Sequence, residues 1–173
     1  VSAALCVIAP AAAQSVAPPT FSGTATYVAD GDSFGLTDAR GRSVQVRLHG
    51  IDAPEGNQEC LVRRRWLPCG EDAAIFLERM ILDRPVTCVQ LDVSYARVVA
   101  RCTIAGQDIA ATMVREGHAL AYRRFSLDYV GLEEQARAAR RGIWRGDMDL
   151  PSCWRRPNGR NCPCPISECT TDR

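Results

Sequence analysis

The chain has 173 residues, 46% of them hydrophobic and 24% charged, with a formal net charge of +1. That length accommodates one domain of ordinary size with a sizeable core. The near-neutral balance leaves a weak whole-molecule field, which excludes a strongly basic protein that coats nucleic acid by charge alone.

Residues 1–13 are apolar, uncharged and end in small side chains, the pattern of the apolar region and Ala-x-Ala cleavage site of a secretory signal peptide. Cleavage is expected after Ala13, with residues 14–20 as a short linker. A membrane anchor fits less well, because a span needs about 20 apolar residues and Pro10 interrupts this run. Lipidation through Cys6 is disfavoured by Leu5, where a small residue is expected. Without Cys6, eight cysteines remain, an even number that favours disulfides in an exported chain, secreted or periplasmic.

Phe21 to Ala29 alternates and is rich in Thr, Tyr and Val, which predicts a strand. Asp30-Gly31-Asp32 is turn chemistry leading to a second strand, Ser33 to Thr37, and Asp38 to Gly41 turns the chain into a third, Ser43 to His49. Pro54 stops that strand's continuation and leaves Asp52 and Glu55 in a loop. A basic loop follows, and Glu71 to Leu82 then has the apolar period of a helix. Pro85 to Leu91 and Val98 to Ile104 read as a hairpin joined through Asp92 to Arg97. Gln107 to Glu116 is a second helix stopped at Gly117, and Leu127 to Arg141 a third stopped at Gly142. Five strands with helices after the third and fifth predict an α+β fold, a five-stranded OB-type Greek-key β-barrel with three packed α-helices. Residues 147–173 are proline-rich and carry Cys153, Cys162, Cys164 and Cys169, a stapled or disordered tail. A zinc cluster there would want a Cys-x-x-Cys pair or a nearby histidine, and the tail has neither.

Within this frame, Asp30, Asp32, Asp52, Glu55, Arg47 and Arg97 gather on strand ends and turns. Carboxylates at short spacing attract calcium or magnesium, and arginines hold a phosphate with planar, permanently charged forks. The combination suits phosphodiester cleavage around a hard divalent cation. An ordinary surface of salt bridges would use the same residues singly, but several separated segments contribute one chemistry here. His49 and His118 read as structural residues and the three tryptophans as packing.

The segments Asp30-Gly31-Asp32-Ser33, Arg47-Leu48-His49-Gly50-Ile51-Asp52-Ala53-Pro54-Glu55, Tyr95-Ala96-Arg97 and Gly142-Ile143-Trp144 resemble the motifs of the staphylococcal nuclease family. The resemblance covers about residues 21 to 146. It implies a calcium-dependent nuclease acting on DNA and RNA, single-stranded or locally open, with little sequence preference and 3′-phosphate products. Asp32 and Asp52 are the implied metal ligands, with the Ala53 backbone carbonyl as a third oxygen; the oxygen donors do not exclude magnesium. The resemblance further implies that Glu55 orients or deprotonates the attacking water and that Arg47 and Arg97 grip the scissile phosphate. Tyr95 and Tyr122 resemble substrate-side tyrosines, and Asp30 is an accessory acid or a turn-forming residue. A monomer without a stable protein partner is expected. The competing class is a nucleic-acid-binding domain on the same scaffold that has lost catalysis; such a chain is expected to lose the carboxylates or the arginine pair, and here both remain. Alanine at 96 stands where the family usually has glycine, which strains the turn if that position needs a positive φ.

The arginine clusters Arg63 to Arg65, Arg123-Arg124, Arg140-Arg141 and Arg155-Arg156 make local positive patches. The absence of lysine is expected from a GC-rich genome ahead of any selection for phosphate binding. In the inferred hairpin Cys88 and Cys102 lie at comparable distances on either side of Tyr95, as a cross-strand disulfide or two buried thiols. Cys60 and Cys69 close the short arginine-rich loop.

Overall fold

The computed structural model describes residues 17–156 together with Ile166. The inferred signal peptide (1–13), Cys6, the start of the linker and tail cysteines Cys162, Cys164 and Cys169 lie outside the described residues. In chain order the strands β1 (Thr20–Asp30), β2 (Ser33–Thr37), β3 (Ser43–Leu48), β4 (Ile51–Asp52), β5 (Cys60–Val62) and β6 (Arg65–Leu67) lead into helix α1 (Cys69–Ile81). Strands β7 (Pro85–Ser94), β8 (Arg97–Ile104) and β9 (Gln107–Asp108) precede α2 (Ile109–Arg115). Strand β10 (Leu120–Ala121), α3 (Val130–Ala138), a 3-10 turn (Gly142–Arg145) and α4 (Pro151–Trp154) complete the described chain.

Strand β1 pairs antiparallel with β2 on one side and β7 on the other; β2 continues to β3 and β7 to β8. Parallel pairing of β3 with β8, Val46 opposite Val98 and Leu48 opposite Ala100, closes these five strands into a mixed barrel. Closure removes exposed sheet edges. The alternation read in the sequence fills the interior: Ala25, Phe34, Leu36, Val46, Leu48, Val86 and Ala100 are buried. Helix α1 lays Ala73, Leu77 and Ile81, spaced four apart, on this core. Its acidic first turn (Glu71, Asp72) and basic last turn (Arg79) complement the helix dipole.

Four local features depart from the sequence reading. Asp108 does not begin the second helix as a helical residue; its side chain accepts from the Ala111 amide at 2.9 Å as an N-cap, so residues 107–108 stay extended as β9. The third helix is shorter than expected, because Ser126 and Asp128 form a turn ahead of it: the Asp128 amide donates to Ser126 Oγ. Pro54 does not keep Ile51 and Asp52 out of a strand, since they pair with Ala121 and Leu120. The basic loop contains the β5–β6 hairpin, with Arg63 and Arg64 at positive φ in its turn.

Cys60 is disulfide-bonded to Cys69 at the base of that hairpin, and Cys88 to Cys102, which face each other in register across β7 and β8. The first of these belongs to a second apolar cluster with Leu120, Ala136, Trp144, Met148, Leu150, Cys153 and Ile166. Residues 147–156 thereby continue onto the folded body, and the Leu61 and Asp147 backbones exchange two hydrogen bonds. Among the described residues no helix is long and apolar enough to cross a membrane.

Candidate active site

The turn between β1 and β2 delivers the first carboxylate. The Asp30 side chain accepts from the Asp32 amide at 3.0 Å, so Asp30 holds the turn in shape. Gly31 is needed for close approach: a Cβ there would lie 2.7 and 2.8 Å from the methyl groups of Ala53 and Ala73. Asp32 is thus pressed against the β4 loop and α1 and is 2% exposed. Its Oδ1 accepts from the Ser33 hydroxyl (2.8 Å) and its Oδ2 from the Ala53 amide (3.2 Å).

Strand β3 supplies Arg47, whose Nη2 lies 2.9 Å from Asp32 Oδ2 and 3.1 Å from Asp52 Oδ1. Asp52 is held in place by β4, where it pairs with Leu120, and the Tyr122 amide donates to the Gly50 carbonyl alongside. Two buried carboxylates therefore converge on one point. Burial pushes the Asp32 carboxyl up to about 7; the Arg47 charge opposes this, and Asp30 and Asp52 add to it. Arg47 stands where those two acids meet, and its charge offsets only part of the burial cost of Asp32.

That donor set fits a hard cation. Both carboxylates are anchored by the backbone elements around them, and a cation would offset the cost of burying the Asp32 charge, which is the main cause of its raised pKa. Among the described residues no three His, Cys, Asp or Glu side chains form a cage. The remaining ligands would come from backbone oxygen and solvent, which calcium and magnesium both accept.

Glu55 sits on the loop after β4, and Gln58 sets that loop. Gln58 is fully buried; its Oε1 accepts from the Glu55 amide (3.1 Å), its own amide donates to the Glu55 carbonyl (2.7 Å), and its Nε2 donates to the Asp149 carbonyl (2.7 Å). Gly70 lets α1 meet the same loop, since a Cβ there would lie 1.7 Å from the Glu55 carbonyl oxygen. Sequence reasoning missed Gln58, which lies in a segment without periodicity, two residues before a disulfide cysteine. It also treated Arg155 only as part of a basic patch. Arg155 follows α4 and reaches the site: its Nη1 lies 2.9 Å from Asp52 Oδ1 and 2.5 Å from Glu55 Oε1, and its Nη2 3.2 Å from Asp52 Oδ2. Burial works against its charge, but the hydrogen bonds and charges of Asp52 and Glu55 outweigh this and raise its pKa.

Arg97 begins β8 and donates to Ser33 Oγ at 3.4 Å, so Ser33 links it to Asp32. The turn before it has Tyr95 at φ +50° and Ala96 at φ +64°, and alanine therefore occupies a left-handed position where glycine carries no penalty. Tyr95 is 93% exposed at the tip of that turn. Tyr122 instead lines a groove of about 260 Å³ with Arg47, His49, Leu91, Ser94 and Phe125. Phe125, which sequence reasoning passed over, packs edge-on against Tyr122 at 4.8 Å. His49 Nδ1 is buried without a partner, and burial lowers the His49 pKa. His118 stacks on Phe76 at 4.1 Å, away from the carboxylates, in a packing role.

The region that carries β3 to the 3-10 turn is also the region that known proteins match. Residues 45–146 fit the model of the family described as staphylococcal nuclease homologue. An uncharacterized endonuclease of Haemophilus influenzae is 30% identical over 133 residues, covering 75% of this chain and 70% of the relative. An uncharacterized endonuclease of Escherichia coli is 30% identical over 138 residues, 77% of this chain and 84% of the relative. A probable endonuclease LCL3 of Schizophyllum commune is 28% identical over 127 residues, 62% of this chain and 42% of the relative. With a closed mixed barrel, the arginine–carboxylate centre and the matched segment coinciding, the chain belongs to the staphylococcal nuclease family.

Proposed function

We propose that the protein is a calcium-dependent phosphodiesterase that hydrolyses DNA and RNA with little sequence preference and leaves 3′-phosphate ends. The observation that carries this reading is the convergence of Asp32 and Asp52 on one point, with Arg47, Glu55 and Arg97 around it. The endonuclease names of its relatives support the reaction class.

Asp32, Asp52 and the Ala53 carbonyl would hold the cation, calcium or in its place magnesium. Bound there, it supplies positive charge to the phosphate undergoing attack. Arg47 and Arg97 grip the non-bridging phosphate oxygens and stabilise the charge that builds on them. Glu55 orients the attacking water or takes its proton as the new P–O bond forms. The bond to the 5′ oxygen then breaks, that oxygen gains a proton from solvent, and the phosphate stays on the 3′ side. Tyr122, with Phe125 beside it, offers a face to a base in the groove next to Arg47, while Tyr95 meets substrate from the turn tip. Asp30 acts through the turn that carries Asp32. The chain works as an exported monomer, secreted or periplasmic; the two disulfides among the described residues suit an oxidising compartment.

The test incubates purified protein with single-stranded DNA or RNA, in calcium or in chelator. Cleavage that needs calcium and gives 3′-phosphate ends is expected. Retention of the oligonucleotide without cleavage at any calcium concentration would replace the enzyme with a binding domain on the same scaffold.

A further inference from the structure

We propose that Arg155 is a built-in counter-ion for Asp52 and Glu55, and that a divalent cation engages Asp52 only by displacing it. This rests on the cation-dependent reading above. An ionised carboxylate has about four lone-pair positions. In Asp52, Oδ1 accepts from both Arg47 Nη2 and Arg155 Nη1, and Oδ2 accepts from Arg155 Nη2. Three of the positions are thereby taken, and a dication cannot share the remainder with two guanidiniums without strong like-charge repulsion.

Of the two arginines, Arg155 is the one built to leave. Arg47 belongs to barrel strand β3, is 17% exposed and is tied to Asp32 as well. Arg155 is 34% exposed and sits one residue beyond a single-turn helix. The backbone that carries it is nevertheless seated: Leu150, Pro151 and Cys153 are buried, and the Ile166 amide donates to the Met148 carbonyl. A rotation of the long Arg155 side chain is therefore sufficient, with no need to unseat the tail. The same rotation frees Glu55 from its 2.5 Å contact and makes it available to water. The tail thereby sets a calcium threshold: below it the carboxylates are neutralised internally, and above it the cation takes over.

The experiment titrates calcium calorimetrically into the full chain and into Arg155→Gln, Arg155→Lys and Asp52→Asn. Side-chain N–H exchange of Arg155, assigned by NMR from its loss in Arg155→Gln, is followed in parallel. Arg155→Gln is expected to bind calcium roughly fivefold to tenfold more tightly, because the closed state no longer competes; a partly exposed ion pair supports no larger factor. Arg155→Lys, which keeps the charge and loses the fork, should fall between the two. In the parent chain the Arg155 N–H groups should be protected in chelator and lose protection as calcium binds. Equal or weaker binding by Arg155→Gln overturns the displacement, as does tighter binding with Arg155 still protected in calcium. If Asp52→Asn abolishes calcium binding while Arg155→Gln leaves it unchanged, the cation reading stands without the displacement. No calcium binding by the parent chain or any variant overturns both.

Discussion

Asp32 makes the metal-free protein sensitive to pH in a direction opposite to that of most paired carboxylates. Its folded pKa is raised from 3.8 to about 7, with burial the main cause. Between those values the unfolded chain has released the Asp32 proton and the folded chain retains it, so stability falls as pH rises. Integrating this shift from pH 5 to pH 8 gives a loss on the order of 2–3 kcal/mol from this one group. Asp32→Asn keeps the size and one acceptor oxygen but cannot titrate. Urea unfolding in chelator at a series of pH values should therefore give a wild-type curve that falls more steeply than that of Asp32→Asn, by about that amount. Calcium should flatten the wild-type slope, since the cation takes the place of the proton, and leave the variant's slope unchanged. Parallel curves for the two proteins in chelator would refute the claim that burial makes folded Asp32 hold its proton.

Glu55→Gln should lower single-turnover cleavage of a short oligonucleotide by about 10²–10⁴-fold while its affinity in calcium changes little; near-normal cleavage would make Glu55 a loop acid. Ala96→Gly should raise stability in urea by roughly 0.5–1 kcal/mol, because relief of the positive φ at 96 exceeds the added chain entropy of glycine. Replacing both Cys88 and Cys102 by alanine should cost about 3 kcal/mol, the value for a loop of this length, read as a lowered urea midpoint under oxidising conditions. Changing Arg63, Arg64 and Arg65 together to Gln should flatten the salt dependence of long-oligonucleotide binding, by up to about one unit of slope per lost phosphate contact, and leave turnover of a dinucleotide unaltered.

The barrel was legible because each of its strands reports itself locally. Val44, Val46 and Leu48 alternate, and the Asp-Gly turn chemistry separates β1 from β2. Cys88 and Cys102 could be matched across a hairpin because both of its arms were visible. What escaped notice depends on partners remote in sequence. Two residues, Ile51 and Asp52, carry no strand pattern of their own and become extended only because Ala121 and Leu120 lie alongside. Leu61 and Trp66 pair across a turn whose Arg63 and Arg64 are not the residues that usually announce positive φ. Motif resemblance singled out the arginines and carboxylates that the fold brings together, yet Arg155 lies about 100 residues beyond Asp52 in a segment without periodicity. Nothing local tells an arginine that enters a site from one that faces solvent.

The parallel junction of β3 with β8 has a consequence for how activity first arises in a folding chain. Arg47 belongs to the first three strands, and Arg97 to a hairpin whose two arms are joined by a disulfide. Both pieces can form from contacts near in sequence, whereas the two junctions between them, β1 with β7 and β3 with β8, join residues about 50 to 70 positions apart and so tend to come late. Until the β3–β8 junction closes the barrel, the strands that carry the two arginines do not lie side by side and cannot grip a phosphate from two sides. Hydrolysis recovered during refolding should consequently lag behind recovery of secondary structure and follow closure of that junction. A chain arrested short of that step, inside the cell or during export, would carry most of its strands and be harmless to the nucleic acid around it.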